Sequence, residues 1–274
     1  DEARAHELIE QRMKEQGLIT SRHAFRWNSD LYATLALHFG LGALGSLFSR
    51  RAPYPAAALH LVSAVSYLAD STQKALLLRR VFPFGESRNV LGVLPAQTEK
   101  PRLRVVYVAH TDAAYTGKVF DPEFVRKVGK PGKGPLAKPL RLAVIALFAL
   151  AALDLVEARS KPSGLRTALR ALLTLPPAVS AALNLDVVLR NRIVPGAADD
   201  LSGVAGILLL ARRLMADKPE DVELVFVASG CEEAGLGGSR ALAKDYRDRW
   251  DPGNTIILGL DGGAIGDLFY FEEG

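Results

Sequence analysis

Residues 222–239, "VELVFVASGCEEAGLGGS", pass from an alternating apolar run into two adjacent glutamates, Glu232 and Glu233, and then into a glycine-rich turn. The first seven, "VELVFVA" (222–228), have the β-branched, period-2 character of a strand, and the glycines supply its boundary. Working outward, "LSGVAGILLLARRLMA" (201–216) reads as a helix with a wide apolar face, "SRALAKDYRDRW" (239–250) as a second helix and "TIILGL" (255–260) as a strand. Upstream, "RNVLGVL" (88–94) and "LRVVYVAH" (103–110) read as neighbouring strands, and "EARAHELIEQRMKEQ" (2–16) as an amphipathic helix stopped by Gly17. Strands alternating with helices predict an α/β fold: a mostly parallel or mixed twisted sheet flanked by helices.

Two regions break that rhythm. Residues 31–48, "LYATLALHFGLGALGSLF", carry no formal charge, and "PAAALHLVSAVSYLA" (55–69) follows a short "SRRAPY" turn. A second pair, "LRLAVIALFALAALDLV" (140–156) and "ALLTLPPAVSAALNLDVVL" (171–189), is joined by "EARSKPSGLR" (157–166). Each pair reads as a hydrophobic helical hairpin inserted into the α/β domain. The expected organisation is therefore an α/β domain over 1–30, 86–126 and 192–274, with insertions at 31–70 and 139–190.

Two readings of the hairpins stand. Asp154, Asp186 and Pro176-Pro177 suit buried accessory helices. The 31–48 segment meets the lower length limit of about 17 apolar residues for a membrane span, and the turns hold Arg50, Arg51, Arg159, Lys161 and Arg166, which would then face the cytoplasm. The stretch "RKVGKPGKGPLAKPLR" (126–141) reads as a solvated linker.

Composition narrows the function classes. The 274 residues are 49% hydrophobic, ample for a core, which excludes global disorder. The net charge of +4 comes from scattered basic residues without aromatic interleaving, so no nucleic-acid partner is expected. A single cysteine, Cys231, excludes an internal disulfide framework and a cysteine-rich zinc module, and it reads as a small buried residue.

Three predicted strands end in possible metal ligands: His110 and Asp112 after the 103–110 strand, Glu232 and Glu233 after 222–228, and Asp261 after 255–260. In a parallel sheet, carboxyl ends share one edge, so these side chains can meet. Asp199 and Asp200, at a helix start in "VPGAADDLSGVAG" (194–206), can reach the same edge. Two residues apart on an extended chain, Asp112 can hold the ring nitrogen of His110 that faces away from a metal. Clustered carboxylates repel one another without cations between them, which favours a metal site.

In order, "AHTD", "PGAADDLSGVAGILLLARRL", "ASGCEEAGLGGSRALA" and "LGLDGG" resemble the motifs of the M28 family of zinc-dependent aminopeptidases and carboxypeptidases, over roughly residues 86–112 and 194–262. The resemblance implies a zinc exopeptidase-like α/β/α sandwich with two zinc ions. His110 would bind one, Asp199 bridge both, Glu233 bind the second and Asp261 complete the ligands. Glu232 would be the general base, Asp112 the orienter of His110, and Asp200 a non-ligand helix cap. The expected substrate is a peptide, cut by a membrane-attached enzyme whose catalytic domain lies outside the cytoplasm. The family's further histidine has no counterpart among His6, His23, His38, His60 and His110, so the expectation is a longer protein supplying it beyond Gly274. Two other classes stay open: a one-zinc cyclising aminoacyltransferase of the glutaminyl cyclase type, and a non-catalytic membrane receptor or scaffold.

Overall fold

A computed structural model describes residues 2–128, 137–161, 163–264 and 267. In chain order its elements are α1 (Glu2–Glu15), β1 (Ile19–Trp27), α2 (Leu31–Phe48), α3 (Pro53–Ser71), β2 (Gly85–Leu94), β3 (Leu103–His110), β4 (Tyr115–Thr116), α4 (Pro122–Val128), α5 (Ala137–Glu157), α6 (Gly164–Arg190), β5 (Arg192–Ile193), α7 (Leu201–Leu214), β6 (Val222–Ser229), α8 (Gly237–Tyr246) and β7 (Thr255–Gly259). They form two compact units: Asp1–Ser29, Phe84–Ala114 and Val194–Gly274 in one, Asp30–Pro83 and Tyr115–Ile193 in the other. Most of the 126–141 linker and of the final "GDLFYFEEG" lies outside the described residues.

The first unit is α/β, with strand order β1-β2-β6-β3-β7. β6 pairs antiparallel with β2 and parallel with β3, and β3 pairs parallel with β7. β2 and β3 are thus not neighbours, as their spacing suggests, because β6 lies between them. The reason is visible in β6 itself: Leu224, Phe226 and Ala228 enter a core with Ile9, Met13, Val204 and Ile207, while Val225 and Val227 enter another with Leu91, Val106 and Leu242. A strand apolar on both faces takes the centre of a sheet covered on both sides. α1 and α7 supply one cover and α8 the other.

Register then sets the site. His110 stands opposite Ser229 and Val108 opposite Gly259, so the carboxyl ends of β3, β6 and β7 finish level with one another. β1 is a strand the sequence pattern did not reveal: its residues are mostly exposed or half-buried, and charged residues interrupt its alternation.

The second unit contains both hairpins, packed together as α2, α3, α5 and α6, with the small β4–β5 ladder pairing Tyr115 with Ile193. α6 begins at Gly164, so the turn after α5 is shorter than the predicted 157–166, and it carries Pro176 and Pro177 inside the helix. By length and composition, α2 and α6 could each cross a membrane. Only 28% and 22% of their most apolar windows are buried, whereas a core helix of a soluble domain would be mostly buried. Leu47 and Leu165 are 80% exposed, while His38, His60, Ser63, Ser66 and Asp154 are fully buried. These buried polar groups lie beside an apolar interior that includes Phe39, Ala143 and Leu147, while leucines stand on the surface of the unit.

Candidate metal centre

Every candidate residue lies in the α/β unit, and all gather at the level carboxyl edge of β3, β6 and β7. His110, the last residue of β3, is nearly buried, with its side chain 4% exposed. Its Nδ1 lies 3.0 Å from the main-chain oxygen of Asp112, which leaves Nε2 pointing into the cluster. Nε2 is 3.0 Å from Asp199 Oδ1, 3.8 Å from Glu232 Oε2 and 3.9 Å from Asp261 Oδ1. Ligand atoms of His110, Glu232 and Glu233 also lie within 4.8 Å of one another, as do those of His110, Asp200 and Asp261.

The carboxylate of Asp112 does more than the sequence spacing indicates. Its oxygens accept the backbone amides of Glu232, at 2.9 Å, and Glu233, at 3.0 Å, while Oδ1 is 3.6 Å from His110 Nδ1. The imidazole is therefore held by the Asp112 main chain, and the side chain grips the glutamate loop. One residue joins the end of β3 to the end of β6.

Asp200 acts similarly. Its side chain caps α7 by accepting Gly203 N at 3.0 Å, and it also accepts His110 N at 3.1 Å and Gly262 N at 3.2 Å. Three amides from three segments occupy a carboxylate that is 1% exposed, so the helix-cap reading holds and widens into a tie between ligand-bearing segments.

Behind Glu232 the chain turns sharply. Cys231 and Leu236 adopt positive φ, and Gly237 N and Gly238 N return to Cys231 O and Gly230 O. A Cβ on Gly237 would stand 2.6 Å from the Trp27 ring, whose Nε1 donates to Ala234 O at 3.0 Å. Trp27 thus braces the glutamate loop from the side. His6 braces it from below through Thr111: His6 Nε2 lies 2.8 Å from Thr111 Oγ1, which donates to Ser229 O. Sequence reasoning passed over both, since neither lies in a motif; only the strand pairing brings them here. Cys231 is buried, and burial pushes its thiol up to about 12, which removes it as a nucleophile.

The electrostatics show a cluster short of positive charge. Burial first, then neighbouring carboxylates, raises Glu232 and Glu233 to about 7. Partial burial and Asp199 raise Asp261. Burial pulls His110 down, but Asp112, Glu232 and Asp200 outweigh it and hold the imidazole up at about 10. Such a set takes up cations, either protons or metal ions in their place. An imidazole nitrogen with fixed orientation among several carboxylates is a donor set for a divalent metal.

The comparisons agree with that chemistry. The family described as Peptidase family M28 matches residues 179–272, about a third of the chain. The "Alkaline phosphatase isozyme conversion protein" of Escherichia coli (strain K12) is 32% identical over 89 residues. That similarity covers 32% of this chain and 26% of the E. coli protein, so it spans about a quarter of that relative's length. No solved structure matches.

Proposed function

We propose that this chain is the catalytic part of a zinc-dependent aminopeptidase with two metal ions, attached to a membrane and acting on peptides outside the cytoplasm. The observation that carries the reading is the meeting of His110, Asp199, Glu232, Glu233 and Asp261 at one edge of three parallel strands, the last four of them within the segment that matches a peptidase family.

In this reading His110, Asp199, Glu233 and Asp261 would hold the zinc ions, which would supply Lewis acidity toward the peptide carbonyl and the attacking water. Glu232 takes the proton of that water and returns it to the leaving amine. Asp112 keeps both glutamates in register by binding their amides, and its main-chain oxygen fixes the tautomer of His110. Asp200 ties the segments together by accepting three backbone amides.

Membrane attachment is supported by the length and apolar composition of α2 and α6 and by how little of their most apolar windows is buried. The turns with Arg50, Arg51, Arg159 and Lys161, together with Arg166 in the first turn of α6, would face the cytoplasm.

The test is metal content by elemental analysis on the full-length protein in detergent, beside Asp199→Ala, with release of free N-terminal amino acids from short peptides as the activity readout. Two zinc ions per chain, lost in the variant together with peptide cleavage, are expected. One zinc with cyclisation of N-terminal glutamine, or no metal and no cleavage, would overturn the reading.

A further inference from the structure

Each of the four long helices of the second unit sends a polar side chain to one buried node. Ser46 Oγ on α2 lies 3.2 Å from His60 Nε2 on α3. His60 Nδ1 lies 2.8 Å from Asp154 Oδ2 on α5, and Arg170 on α6 donates to Asp154 Oδ1 at 2.5 Å and to Glu157 Oε2 at 2.5 Å. The side chains of His60 and Asp154 are fully buried. Ionisable groups inside a lipid-jacketed bundle are costly even when paired, and where they occur they mark function.

The bonds set the direction of the proton. Asp154 takes the Nδ1–H of His60, which leaves the Nε2 lone pair facing the Ser46 hydroxyl. The backbone is shaped for this approach: a Cβ on Gly45 would stand 3.0 Å from His60 Nε2, so glycine lets the imidazole close against α2. Ser46 is half-buried in the last turn of α2, and the adjoining Leu47 is exposed on the surface of the helix. Thr174 Oγ1 lies 2.8 Å from Ser46 Oγ, and Arg50, four residues on along the same face, is bonded to Thr167 on α6.

We propose that Ser46, His60 and Asp154 form a second reactive site, in which Ser46 is the nucleophile toward the acyl ester of a bilayer lipid. The inference rests on the membrane attachment argued above and is independent of the metal centre. Ser46 Oγ bonds to the ester carbonyl carbon as His60 Nε2 accepts the hydroxyl proton. The alcohol leaves with that proton as its bond to the carbonyl carbon breaks. A water then gives one proton to His60 and its hydroxyl to the acyl group. The fatty acid departs, and His60 returns the proton to Ser46. Asp154 is a positioning residue that holds the imidazole tautomer, and Arg170 holds Asp154.

The test uses full-length protein in lipid nanodiscs, a fluorophosphonate probe and excess metal chelator, with peptide mass mapping and labelling rates. One adduct at Ser46 is expected, absent in Ser46→Ala and formed about 100-fold more slowly in His60→Gln, with Asp154→Asn also slowed. No adduct at Ser46 in protein with an intact thermal melt would overturn the proposal and leave the node as a structural tie between helices. An adduct elsewhere, or an unchanged rate in His60→Gln, would do the same. Protein that stays soluble and monodisperse without lipid or detergent would refute the membrane reading itself, a separate outcome from failed labelling in nanodiscs.

Discussion

At the scale of single residues, the site depends on carboxylates that organise backbone as much as on those that face a metal. Asp112 accepts two adjacent amides from the glutamate loop, so Asp112→Ala leaves both donors without their acceptor and releases Glu232 and Glu233 from register. We predict metal affinity 10–100-fold lower, about the loss seen when second-tier partners of metal ligands are removed, measurable by competition with a chromophoric chelator. The sequence made Asp112 a candidate through its spacing from His110, but its partners are backbone amides, which carry no side-chain signature to read. His6 makes a second case. Burial, then Arg88, lowers its pKa from the ordinary 6.5 to about 4. The unfolded chain therefore binds the extra proton between those values, so the contribution of neutral His6 is complete above pH 6.5 and is lost as pH falls toward 4. That window carries on the order of 3 kcal/mol. Urea unfolding followed by tryptophan fluorescence should show stability falling from pH 7 to 4, with a shallower fall in His6→Gln; Trp27 and Trp250 both lie in the α/β unit.

At the scale of elements, strands whose faces are buried were legible almost to the residue, as with β3 and β6, because both faces repeat apolar side chains. The edge strand β1 was not, since its half-exposed faces tolerate Arg22, His23 and Arg26 without penalty. Strand adjacency was harder still. The eight residues between β2 and β3 fit a direct pairing, and only the need of β6 for cover on both sides and neighbours on both edges displaces them. Phe226 tests that centrality. It is fully buried and stacks on Tyr107 with ring centroids 5.4 Å apart. Phe226→Ala should cost about 3–5 kcal/mol of unfolding free energy, read from the urea midpoint with an unchanged slope. Gly237→Val should displace Trp27, seen as a shift in its emission, and should lower metal affinity by loosening the glutamate loop.

At the scale of the whole molecule, both hydrophobic hairpins were visible as departures from the α/β rhythm, while their union into one unit was not, because it depends on side chains paired far apart in sequence, such as His60 with Asp154. The exposed apolar faces of α2 and α6 predict that the protein sediments with membranes and is released by detergent but not by high salt or carbonate wash. A cysteine introduced at Arg51, with Cys231→Ala as background, should react with a membrane-impermeant maleimide only after the cell is opened. Labelling in intact cells would reverse the orientation proposed for the turns. The same central strand has a consequence in time. β6 is hydrogen-bonded along both edges and covered on both faces. Amide hydrogens of β6 should therefore exchange with deuterated solvent most slowly in the unit. The two glutamates are then anchored to the strand of that unit that opens last, so their positions survive the local openings that loosen the loops around them.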